Sequence, residues 1–280
     1  MNQNNFKIVV DSSADLTEWK DFPFASAPLK IITDEKEYTD DINLDTEEMV
    51  NDLSKYRGRS STSCPSPEDW LQAFGEGKQI FCITITSGLS GSYNSACIAK
   101  EEYEREHPDR VVHVIDSLSA GPELKLIAEK LKEGILAGHS FADLRKSIAE
   151  YTKKTALLFM LESMRNLANN GRVNPLVAKA AGLLGIRIVG KAGEEGTLEL
   201  LNKVPGEKRA LTTLWETMKS MGHRGGKVRI SHCQNETAAS TLKGLILEEF
   251  KNASVEIAPC RALCSFYAEK GGLLVGFERE

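Results

Sequence analysis

The chain has 280 residues, 41% of them hydrophobic and 27% charged, with a formal net charge of −5 at neutral pH. That is enough apolar material for one large domain or two ordinary ones with real cores, while the scattered lysines and arginines exclude the basic stripe that a nucleic-acid partner requires. No run approaches the roughly 18 apolar residues of a membrane span, so the expectation is a cytoplasmic protein without stable membrane insertion.

In chain order, period and breaker signals predict strands at Lys7 to Val10 and Leu29 to Ile32, then a helix near Asp45 to Leu53. Ser66 opens a second helix with Pro67 in its first turn. Strand Ile80 to Ile85, a helix near Ser92 to Glu106, strand Val111 to Ile115 and two amphipathic helices between about 120 and 153 follow. Such alternation predicts a mostly parallel sheet covered on both faces.

The rhythm restarts near residue 155. Ala156 to Leu161 is apolar, Asn174-Pro175 opens a helix, and Ile186 to Val189 with Thr197 to Val204 reads as a strand pair. Strand Val228 to His232, a helix near Glu236 to Phe250, and strands Val255 to Ile257 and Leu273 to Phe277 complete a second unit. The expected fold class is therefore α/β, with two α/β domains, 1–155 and 156–280.

Three polar loops each follow a strand and precede a helix: Asp11 to Asp15, Thr86 to Ser92 and Asp116 to Gly121. Loops at the carboxyl ends of parallel strands line the ligand crevice, so all three should meet at one edge. Helix starts and hydroxyls suit an oxyanion there. None of the loops carries Lys or Arg, which a polyphosphate would recruit; a single carboxylate is the better fit.

Helix capping accounts for Ser12, Ser13 and Ser119 one at a time. It does not account for Ser87, Ser90 and Ser92 together with Gly88 and Gly91, because capping needs one hydroxyl and glycine admits a ligand close to the backbone. In Ser60 to Pro67 the prolines hold an extended linker and Ser66 caps, which leaves Thr62 and Ser63 free to donate.

Other chemistry has less support. Gly88-Leu89-Ser90-Gly91 resembles a hydrolase elbow, so a serine hydrolase or acyl transferase using Ser90 is an alternative, but Ser92 stands where that motif needs glycine. Gly222 to Lys227 lacks the Ser/Thr and helix of a phosphate loop. The pairs Asp40-Asp41 and Glu47-Glu48 read as a solvated loop and a helix start. The six cysteines include no Cys-x-x-Cys pair and His113 lies in an apolar strand, so reduced thiols, no metal and no cofactor are expected.

Taken in order, Asp11-Ser-Ser-Ala-Asp-Leu16, Thr62-Ser-Cys-Pro-Ser66, Thr86-Ser-Gly-Leu-Ser-Gly-Ser-Tyr93, Asp116-Ser117 and Asn170-Gly-Arg172 resemble the DegV family of fatty-acid-binding proteins over nearly the whole chain. The resemblance implies a non-enzymatic carrier that encloses one long-chain fatty acid between its domains and presents the carboxylate to a separate ATP-dependent fatty acid kinase subunit. It makes Thr62 and Ser90 the carboxylate donors, with Ser63, Ser87 and Gly91 in support, and associates Arg172 with a partner surface.

Against that pattern, Tyr267 stands where the family has histidine, Ile186-Arg187-Ile188 where it has Lys-Pro, and Pro205 where it has an arginine facing the kinase. Tyrosine can donate to the ligand but cannot carry positive charge. An interaction protein with a degenerate lipid site is the remaining alternative.

Overall fold

The computed structural model describes residues 5–176 and 185–280. In chain order the strands are β1 (Phe6–Asp11), β2 (Phe24–Ala27), β3 (Lys30–Thr33), β4 (Glu37–Thr39), β5 (Ser60–Ser63), β6 (Gln79–Thr84), β7 (Val111–Asp116), β8 (Thr155–Leu161), β9 (Ile186–Ala192), β10 (Leu198–Pro205), β11 (Val228–His232), β12 (Val255–Pro259) and β13 (Leu273–Glu278). The helices are α1 (Thr46–Lys55), α2 (Pro67–Phe74), α3 (Ser92–Glu106), α4 (Pro122–Leu136), α5 (Phe141–Tyr151), α6 (Arg165–Asn169), α7 (Glu207–Ser220), α8 (Glu236–Glu249) and α9 (Ala262–Ala268).

The first sheet runs β2-β1-β6-β7 with every pairing parallel. Its inner strands are nearly continuous apolar runs because helices cover both faces. Ile8, Val10, Phe81 and Ile83 bury against α4 and α5, while Val9, Ile80 and Cys82 bury against α2 and α3. Helix α2 starts where expected: Ser66 Oγ accepts from the Asp69 N–H, and the Asp69 carboxylate accepts from the Ser66 N–H at 2.8 Å, a reciprocal cap that fixes the entry of the chain.

A second sheet runs β10-β9-β8-β13-β11-β12 and is antiparallel except between β11 and β12. Helices α7 and α8 cover one face through Leu211, Leu214, Trp215, Leu242 and Ile246. Helix α4 joins the two sheets. Its Glu129 takes both the Nε and an Nη of Arg229 on β11, at 2.9 and 2.8 Å, and Gly276 on β13 lets its backbone approach, since a methyl there would lie 2.6 Å from the Glu123 nitrogen.

The expected α/β architecture and the parallel first sheet are present. The three-stranded antiparallel sheet β4-β3-β5 was not expected. Ser60–Ser63, expected as a linker, is strand β5, with Thr62 opposite Ile31; four small hydroxyl residues carry no β signal of their own, and pairing with β3 supplies it. Strands β2 and β4 and helices α6, α7 and α9 were also absent from the sequence reading. The helix expected after Asn174-Pro175 lies largely outside the described residues. Asp40 is a correction: expected in a solvated loop, it is only 1% exposed, because the backbone N–H groups that open α9 close over it.

Candidate functional site

The three polar loops do meet at the carboxyl edge of the parallel sheet, and buried Asp11 ties two of them. Its Oδ2 accepts the Ile85 N–H at 2.9 Å and the Ser92 hydroxyl at 2.6 Å, and its Oδ1 accepts from Ser13. Burial raises the pKa of Asp11 while these hydrogen bonds pull it back. The third loop joins through the Asp116 carboxylate, which accepts the N–H groups of Ser87 and Leu118, both at 3.1 Å. Ser12 accepts the Leu29 N–H at 3.0 Å. Ser12, Ser13 and Ser92 are thus engaged in holding the edge together.

Beside this edge lies a cavity of about 280 Å³. Its wall is mostly apolar: Leu29, Ile85, Leu89 and Ala120 come from the parallel-sheet side, Leu157, Phe159, Leu161 and Leu274 from β8 and β13, Leu167 from α6, and Leu263, Cys264 and Ala268 from α9. Its polar contributors are Thr62, Ser63 and Cys64 at the end of β5, Ser90 and Gly91 before α3, Arg172 and Tyr267. An apolar chamber with a few convergent polar groups is the usual form of a small-molecule site.

Ser90 Oγ accepts the Ser92 N–H at 3.2 Å, which orients the hydroxyl and leaves its proton to donate. Gly91 is the N-cap of α3 without any side-chain cap, so Ser90 and Gly91 bring the positive end of that helix to the cavity. A methyl on Gly91 would stand 3.3 Å from Cys64 Sγ. In the same lining, Thr62 Oγ1 and the Tyr267 hydroxyl are 2.7 Å apart. Burial raises the Tyr267 pKa, opposed by the Thr62 hydrogen bond and by the charge of Arg172.

Of the residues expected to bind ligand, Thr62, Ser63, Ser90, Gly91 and Tyr267 share this lining. Ser87 and Gly88 lie outside it. Both are exposed, and the close approach that Gly88 permits is to the β9–β10 turn, where a methyl would meet the Glu195 and Gly196 carbonyls at 2.9 and 3.2 Å. Arg172, assigned to a partner surface, is half-buried in the cavity wall. Its Nε donates to the Leu89 carbonyl at 3.2 Å and its guanidinium also donates to the Asn170 carbonyl. None of the three polar loops carries a cation, and Arg172 comes to the cavity wall from another segment.

Asp15, expected in the first polar loop, reaches the start of α9, and the apolar lining residues are not singled out by the sequence pattern. Asp15 Oδ1 accepts the Arg261 N–H at 2.7 Å, and its other oxygen is sealed from solvent although the residue as a whole is partly exposed. Burial pushes its pKa up to about 7. Among the described residues no group of His, Cys, Asp and Glu is arranged to hold a metal, and no helix is long and apolar enough to cross a membrane.

The DegV family model, described as an uncharacterised protein of that family, matches residues 5–280. A DegV domain-containing protein of Streptococcus pneumoniae is 43% identical over 277 residues, covering 98% of this chain and 99% of that protein. A DegV family protein from Eubacterium eligens, solved loaded with heptadecanoic acid, superposes with a TM-score of 0.96 at 41% identity, covering 98% of this chain and 100% of that one. The Streptococcus pneumoniae fatty acid kinase B3 protein, solved loaded with linoleic acid, has a TM-score of 0.96 at 43% identity over 99% and 100% of the two chains.

Proposed function

The chain belongs to the DegV family, and from that premise we propose that it binds one long-chain fatty acid in the cavity beneath the loop edge. The acyl chain lies against Leu29, Ile85, Leu157, Phe159, Leu263 and Leu274, and the carboxylate lies at Thr62, Ser90, Tyr267 and Arg172. Residues 1–155 supply the hydroxyl loops, and 156–280 cover the chain. The observation that carries this reading is the segregation of the lining, with hydroxyls and one guanidinium set in an otherwise apolar wall. A carboxylate accepts from hydroxyls and from a guanidinium, and an alkyl tail leaves water for the rest.

The protein holds and presents the acid rather than transforming it, and a separate ATP-dependent kinase subunit is the partner in this reading. Similarity to the fatty acid kinase B3 protein along the whole chain supports that assignment. A hydrolase using Ser90 would need a base at its hydroxyl, whereas the neighbour found there is the Ser92 N–H, itself a donor. Titration with oleate tests the reading. Saturable uptake of one molecule per chain, with Ser90 unlabelled by a phosphonate probe, is expected; covalent labelling of Ser90 would favour the hydrolase.

A further inference from the structure

We infer that Asp40 and Asp15 are positioning residues for lipid binding: they hold the N-terminus of α9 and thereby set where Tyr267 presents its hydroxyl. The inference rests on the fatty-acid reading above. Helix α9 has only seven residues, too few to persist alone, yet it supplies Leu263, Cys264, Tyr267 and Ala268 to the cavity. Its own N-cap, Arg261, provides no side-chain cap. The opening N–H groups go instead to carboxylates more than two hundred residues earlier. Asp40 accepts Ala262 at 3.2 Å and Leu263 at 3.0 Å, and Asp15 accepts Arg261 at 2.7 Å.

The small sheet β4-β3-β5 makes this a register device. Asp40 directly follows β4, with its N–H bonded to the Leu29 carbonyl beside β3 at 2.9 Å, while Thr62 is on β5 and pairs with Ile31 of β3. One rigid unit therefore carries both attachments of α9, Asp40 at the start of the helix and Thr62 at the Tyr267 hydroxyl. Arg261 Nε lies 3.6 Å from Asp40 Oδ1, a partial counter-charge for an otherwise buried carboxylate. A single Ser, Thr, Asn or Asp side chain is the usual helix N-cap; here two carboxylates from distant segments, buried Asp40 and partly exposed Asp15, hold the first turn.

The test is a double-mutant cycle on the full chain, with oleate affinity and thermal unfolding measured together. Asp40→Ala should weaken oleate binding at least fivefold when Tyr267 is intact and less than twofold when Tyr267→Phe is already present, because the loss acts through that hydroxyl. Asp40→Asn keeps one acceptor and should restore part of the affinity. It also serves if Asp40→Ala does not fold, and Asp15→Asn should show the same dependence on Tyr267. Equal losses with and without Tyr267→Phe, or no loss at all, would overturn the positioning role while leaving the fatty-acid reading intact. A wild-type chain that takes up no oleate would overturn both.

Discussion

The Tyr267 hydroxyl lies 2.7 Å from Thr62 Oγ1, joining the last helix of the chain to a strand some two hundred residues earlier at the polar part of the cavity. One of the pair donates to the other, so together they have one proton left for a ligand. Tyr267→Phe keeps the ring and removes the phenol, and it should cost about 1 kcal/mol or more of fatty-acid affinity with the fold intact. Unchanged affinity in a titration would mean that the carboxylate is held without Tyr267.

Ser90→Ala removes a donor already oriented by the Ser92 N–H, and a loss of roughly 1.5 to 3 kcal/mol is expected for a hydrogen bond to a charged group. Thr62→Val should lose a similar amount. The double variant should lose less than the sum if, as proposed, both groups serve one carboxylate. Strict additivity in the same titration would place the two hydroxyls on different ligand atoms.

Much of this arrangement was legible before the structure. The parallel strands announced themselves as unbroken apolar runs, and the loops after them carried more hydroxyls and glycines than capping needs. What the sequence concealed depends on distant pairing. β5 is four hydroxyl residues that become a strand only beside β3. Asp40 looks solvated until the N–H groups of α9 close over it. Arg172 reads as a surface loop residue until the fold carries it to the Leu89 carbonyl, and Gly88 reads as a ligand contact when its neighbour is a turn.

Replacing Tyr267 by histidine tests what the tyrosine changes. A histidine beside a carboxylate is partly cationic near pH 6 and neutral by pH 8, whereas a buried phenol stays protonated throughout. The affinity of Tyr267→His relative to wild type should therefore fall as pH rises from 6 to 8. A constant ratio would indicate that residue 267 does not sense the ligand's charge.

Asp15 gives the fold its own pH signature. Its pKa is about 7 when folded, raised by burial and by nearby Asp40 against the hydrogen bond from the Arg261 N–H, and near 4 when unfolded. Between those values the folded chain holds a proton that the unfolded chain has released. The stability contributed is full below about pH 4 and is lost as pH rises through about 7. From pH 5 to 8, wild type should lose about 1 kcal/mol or more beyond what Asp15→Asn loses in denaturant melts. Parallel pH profiles would show that Asp15 does not titrate there.

Phe159 is held in the cavity wall by the absence of a side chain at Gly190, where a methyl would collide with its ring and with the Glu199 carbonyl. Gly190→Ala should destabilise the fold by about 1 to 3 kcal/mol and favour shorter acyl chains in a competition between palmitate and oleate. A stable variant with unaltered preference would show that the ring does not bound the acyl path.

The most direct test of fatty-acid carriage is a denaturing mass spectrum of the lipid extracted from protein purified out of a bacterial host, paired with a native spectrum of the same sample. The account predicts a native mass exceeding the chain by one long-chain fatty acid, and that acid in the extract at close to one equivalent. Protein that is empty in both spectra, and stays empty after incubation with oleate and with palmitate, would contradict it.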